Sequence, residues 1–193
     1  MKRTILSLIL ALSFVICLFG CASSSEHKEI YDRFNGFSKD VAKYSIEICV
    51  KSPSGNKVTE TYDVTVEDNY RTVDYRIEKL NTITVDGDKI TVPEDYVSVS
   101  QGTLHTAAES QDTYALPAFQ FSDRALENFK RDTGSFPYQF SADIISIKDF
   151  MGIDLDATNI TLSGGYLASN FSYITIAYTT ANGNSVTVTY TYK

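Results

Sequence analysis

Tryptophan is absent from the 193 residues, histidine occurs twice, cysteine three times and proline four times. Two histidines cannot furnish a multi-histidine metal centre, and they leave little material for catalytic triads. Three cysteines exclude a disulfide-dense scaffold. Bases are the minority, 17 against 24 acids, and the formal charge of −7 argues against nucleic acid as a partner. No G-x-S-x-G, P-loop or dinucleotide-binding glycine pattern occurs either. The expectation is therefore a non-enzyme without a cofactor. The chain is nonetheless 43% hydrophobic and only 21% charged, which suits a folded core. It is rich in Tyr (13) and Phe (11), both at home in β-strands.

One long apolar run is present, and it lies at the start. Lys2 and Arg3 precede an almost unbroken apolar stretch from Thr4 to Leu18. Its length is about that of a signal h-region and short of the ~20 residues that cross a bilayer. The run ends in Leu18-Phe19-Gly20-Cys21, followed by Ala22 and serines. This resembles the lipobox of bacterial lipoproteins. The resemblance implies a signal peptide over residues 1–20, cleavage before Cys21, and lipidation of the Cys21 thiol with chains such as palmitate. It also implies an address: the cell membrane or outer membrane, on the extracytoplasmic side. Residues 21–28 then read as a lipidated tether. A single acyl chain anchors only marginally, so stable attachment rests on two or three. On this reading Cys17 leaves with the signal and Cys49 is the only free thiol. Removing residues 1–20 takes away two bases and no acid, leaving 15 bases, 24 acids and a charge of −9.

The remainder, 29–193, reads as one domain with candidate halves 29–102 and 119–193. Ile30, Phe34, Phe37 and Val41 recur at helical spacing and predict a helix from Glu29 to Lys43, weakened by Gly36. From Tyr44 the period becomes two. Strands are expected around Tyr44–Val50, Val58–Val66 and Val73–Ile77, and on both sides of the Asp86-Gly87-Asp88 hairpin turn, with a sixth from Tyr96 to Ser100. Thr103–Ala118 reads as a long irregular connection. Ser122 looks like an N-cap for a helix carrying Ala125, Leu126 and Phe129 and ending at Gly134. Ser146–Met151 predicts a short helix stopped by Gly152. Strands return at Ile160–Leu162, Tyr173–Thr180 and Ser185–Tyr192.

An internal echo accompanies this pattern. At an offset of 128, Ser45–Val64 lies over Tyr173–Tyr192 with eight identities in 20 positions. Ile46/Ile174, Gly55/Gly183, Asn56/Asn184 and Tyr62/Tyr190 are among them. Duplication of a hairpin unit and convergent hairpin chemistry both account for it. The expected fold class is α+β: a curved antiparallel sheet, an incomplete barrel, with helices covering one face.

A lipobox, a leading amphipathic helix, long antiparallel strands and an interrupting helical segment together resemble the LolA/LolB-like lipoprotein-carrier superfamily. The resemblance implies an incomplete β-barrel that binds acyl chains under covering helices, without catalysis. On the residues themselves, Phe34, Tyr62, Tyr75, Leu126 and Phe129 are the candidates for lining such a cavity. If the cover packs tightly, they are ordinary core. The leading expectation is therefore a lipoprotein that binds a hydrophobic or amphipathic ligand such as lipid or an acylated protein. The alternative is an envelope interaction or adhesion module with a filled core. Neither reading fixes an oligomeric state.

Other candidates have bland readings. His105 and Glu109 have a ligand-pair spacing but no evident third donor. Asp86-Gly87-Asp88 and Asp154-Leu155-Asp156 lack the regular oxygen spacing of a calcium loop and read as turns. Glu94-Asp95 and Asp112 could form a carboxylate dyad only as any acids could. Cys49 has both Glu47 and Lys51 beside it on its face, so its environment does not favour the thiolate.

Overall fold

The computed structural model describes residues 28–35, 41–110, 112–168 and 170–193. The signal segment, Cys21, His27, Gly36 and Phe37 lie outside these residues. A short helix, α1 (28–34), precedes eleven strands. These are β1 (Lys43–Lys51), β2 (Lys57–Glu67), β3 (Tyr70–Leu80), β4 (Thr84–Asp86), β5 (Lys89–Thr91) and β6 (Val97–Ala107). They continue with β7 (Leu126–Asp132), β8 (Tyr138–Ile144), β9 (Ala157–Leu167), β10 (Asn170–Thr180) and β11 (Ser185–Tyr192). The helix α2 (Ile147–Met151) separates β8 from β9. Nine strands form one antiparallel sheet in the order β6-β3-β2-β1-β11-β10-β9-β8-β7, and β4-β5 stand apart as a hairpin.

The fold is mostly β, and the sheet is neither closed nor strongly curled. The expected incomplete barrel under helices is thus corrected to an open sheet with few helices. β6 and β7 are its two edges, and neither has a second partner strand among the described residues.

The leading helix is shorter than its periodicity implies. Lys43 already belongs to β1, and Val41 is irregular. The expected helix from Ser122 to Gly134 is a strand, β7. Its register with β8 slips between Glu127 and Lys130, and Asn128 has φ 52°. That bulge places Leu126 and Phe129 on the same buried face although they are three residues apart. A bulged strand has imitated a helical repeat. The expected irregular stretch from Thr103 begins only after β6 ends at Ala107.

The echo corresponds to two equivalent hairpins. Ile46 pairs with Tyr62 in β1–β2, and Ile174 pairs with Tyr190 in β10–β11. Both turns carry the same two backbone hydrogen bonds, Ser52 N–H to Asn56 and Gly55 N–H to Ser52, against Thr180 N–H to Asn184 and Gly183 N–H to Thr180. Gly55 and Gly183 take φ 93° and 78°, a region that side chains disfavour. β1 then pairs with β11, so Ile46 faces Tyr62 on one side and Tyr190 on the other. The hairpins are related by a step of two strands across the sheet centre.

Alternation gives the sheet a covered and an open face. Tyr44, Ile46, Tyr62, Val64, Val73, Phe140, Ile174, Ile176 and Tyr190 are buried on the covered one. Its cover is mainly an irregular strap, residues 112–125, rather than helix. Tyr114 sits over Tyr62 of β2, Phe119 over Tyr190 of β11, and Phe121 against Phe171 of β10 and Phe140 of β8. The strap thereby crosses the central strands, with α1 and α2 packed beside it.

Candidate functional site

The five cavity candidates all reach the covered face. Phe34, Tyr62, Leu126 and Phe129 are buried members of one apolar cluster, and Tyr75 packs against it half-buried. Phe34 of α1 sits among rings: Phe171 stacks on it at 4.4 Å between centroids, with Tyr166 at 5.0 Å and Phe121 at 5.3 Å. Phe129 stacks on Phe140 at 5.6 Å and meets Tyr31 edge-on at 5.8 Å. Such separations are those of direct ring contact, so side chains fill this region between sheet and cover.

Hydrogen bonds hold the cover in place. The Asn35 side chain donates to the Phe121 carbonyl and accepts from the Phe121 N–H, both at 3.0 Å. The Tyr44 hydroxyl donates to the Tyr114 carbonyl at 3.0 Å, and Gln120 N–H donates to Phe150 of α2 at 2.9 Å. Arg71 reaches the Ser110 carbonyl at 2.6 Å. The sequence marks the first part of this strap, to Ala118, only as an irregular connection; its covering role leaves no period to read, and Phe119 and Phe121 are its only closely spaced aromatic residues.

Burial also shifts the tyrosines. Tyr190 and Tyr192 titrate well above the ordinary phenol range, first because burial penalises the phenolate. Tyr62 is raised likewise, and its hydroxyl donates to Glu60 at 2.7 Å, a bond that the phenolate would lose. These groups are proton-retaining core residues with a polar end.

The open face is built of hydroxyls and mixed charges. One rank across the sheet runs Lys130, Ser141, Ser163, Thr175, Thr189, Glu47, Thr61, Arg76, Gln101. The next runs through Thr191, Ser45, Asp63, Asp74 and Thr103. Ser45 and Lys193 both donate to Asp63, at 2.6 and 2.5 Å, and hold its carboxyl below the usual range; the Lys193 bond is the larger cause. Thr103 donates to Asp74 at 2.6 Å. Cys49 lies on this face, half-buried, opposite Thr59 and Thr187.

The remaining candidates are dispersed. His105 is on exposed β6, with Nδ1 3.3 Å from Thr72 Oγ1, and Glu109 follows in the next turn. Asp86-Gly87-Asp88 forms the β4–β5 turn with Gly87 at φ 58°, and Asp154 pairs with Lys148 at 3.6 Å. Among the described residues no three His, Cys, Asp or Glu side chains come together to hold a metal ion. No helix among them is long and apolar enough to cross a membrane. Comparison with family models, curated proteins and solved structures finds no match to this chain, so its chemistry is read from its own geometry.

Proposed function

We propose that the chain is a membrane-anchored, non-catalytic interaction module of the cell envelope, held through lipidated Cys21 and binding partners on the outside of a filled domain. The observation that carries this reading is the aromatic packing of the covered face, where Phe34, Phe121, Phe140 and Phe171 occupy the volume an acyl chain would need. Binding is thereby left to the outer surfaces, chiefly the hydroxyl-rich open face. Such a face suits a polar partner surface, because its charges have both signs and its hydroxyls both donate and accept.

The hydrophobic-ligand reading is the second. It is favoured by the β3–β6 end of the covered face, where Tyr75 and Ile77 are half-buried and Leu104 is exposed. Titration of the full chain with a fluorescent fatty acid separates the two. The interaction module gives no saturable binding. Saturable binding that is lost on Leu126→Asp or Phe129→Asp, in a variant still folded by circular dichroism, would establish the carrier instead.

A further inference from the structure

The two edges of the sheet are unlike. β7 carries Glu127, Lys130, Arg131 and Asp132 in seven residues and is bulged at Asn128. Charges and bulges are what keep an edge from accepting another strand. β6 has neither. Its eleven residues contain no Lys, Arg, Asp, Glu or Pro, and it pairs with β3 in unbroken register from Val97 to Ala107. Nearly all of it is exposed. Of the eleven large apolar side chains exposed among the described residues, Val97, Val99 and Leu104 lie on this strand. Val85 and Ile90 lie on the hairpin that precedes it, Val92 directly follows that hairpin, and Tyr70 pairs with the last residue of β6.

We propose that β6 is the seam of a two-fold dimer, in which it pairs antiparallel with β6 of a second copy about Gly102. Self-pairing requires a strand that places no like charges against each other, and β6 meets this along its whole length. The register about Gly102 follows from what flanks it. Tyr75 pairs with Gly102 and lays its ring across it, the hydroxyl 2.9 Å from where a Cβ would stand. Two adjacent Gly102 residues leave room for both Tyr75 rings over the seam. On the open face Gln101 ranks with Arg76, and Thr103 ranks with Asp74. The two-fold sets Gln101 opposite Thr103 of the second copy, so Arg76 of each chain shares a rank with Asp74 of the other. On the covered face it sets exposed Leu104 opposite Ser100, in rank with Ile77. A second copy thus extends the sheet and sets Arg76 and Asp74 in one rank twice, three strands apart, so that the seam brings opposite rather than like charges towards each other.

The test uses the full chain purified in detergent micelles. Sedimentation over a concentration series should show a monomer–dimer equilibrium. The Gln101→Cys/Thr103→Cys variant should form a disulfide-linked dimer on mild oxidation. Neither the parent with its native cysteines nor a Lys130→Cys variant on β7 should do so. Val99→Lys/Thr103→Lys, at exposed positions, should weaken association by more than about tenfold while the circular-dichroism signal of the sheet stays unchanged. A chain that remains monomeric at every concentration and forms no 101–103 cross-link would overturn the proposal. Cross-linking of those cysteines in cells to a different protein, without the dimer, would overturn it equally.

Discussion

Asn35 and Phe121, 86 residues apart in sequence, are joined by two hydrogen bonds of 3.0 Å between one side-chain amide and the backbone N–H and C=O of one residue. The amide acts as a short piece of strand, satisfying both polar groups of a residue that belongs to no sheet. It fixes the end of α1 to the strap, and so seats Phe34 beside Phe121. Asn35→Ala removes both bonds and leaves two partly buried backbone groups unpaired. The expected loss is about 1–3 kcal/mol, read from chemical denaturation. Asn35→Asp keeps only the acceptor and should fall between wild type and Ala. Hydrogen exchange at the Phe121 amide should accelerate in the Ala variant before any loss of sheet signal.

The interior should respond as a packed core. Phe34→Ala is expected to cost about 3–5 kcal/mol, because Phe171, Tyr166, Phe121 and Phe140 all lose a ring contact. Phe136→Ala is the control: that ring is 80% exposed, and the change should stay within about 0.5 kcal/mol. A hollow interior would narrow the difference between the two.

Two glycines that lie beneath aromatic rings should differ. A Cβ at Gly164 would stand 2.5 Å from the Phe140 ring and 2.7 Å from the Tyr173 carbonyl oxygen, so both ring and backbone must move. Gly164→Ala should destabilise by about 1–3 kcal/mol. At Gly102 the obstacle is the outer end of the Tyr75 side chain at the sheet edge. Gly102→Ala should therefore cost clearly less in the same denaturation assay.

Alkaline pH should unfold the domain through its tyrosines. Tyr190 and Tyr192 have folded-state values raised by burial above the ordinary value of about 10. The stability this contributes is fully present below the unfolded value. It is lost as pH rises above about 10 towards the folded values, because the unfolded chain releases the protons first. Tyrosinate absorbance should rise together with loss of sheet signal. Tyr190→Phe should shift that transition to higher pH.

Much of the sheet was legible because local and global signals agreed. In β1, β2, β10 and β11 one face is buried, so apolar residues alternate, and Gly55 and Gly183 mark turns that need positive φ. α2 was legible from its ends: Ser146 accepts from Asp149 N–H, and Gly152 closes the helix at φ 73°. β7 was misread because its bulge replaced a spacing of two by a spacing of three. β8 went unread although Tyr138, Phe140, Ala142 and Ile144 alternate with Gln139, Ser141 and Asp143. It follows the bulged β7, whose helix-like spacing removes the neighbouring strand that would mark it as half of a hairpin. The candidate site was legible in part. Phe34 does face the sheet, and Leu126 and Phe129 point from β7 towards its cover, but whether they enclose a space depends on Phe119 and Phe121 of the strap, which tertiary contacts alone hold.

The most direct measurement is the native mass of the full chain after gentle extraction from membranes. The filled interior predicts the mass of the chain with its own anchor and no additional lipid, as one or two copies. A mass raised by a stoichiometric lipid, and restored when Phe129→Asp fills the interior with charge, would contradict it.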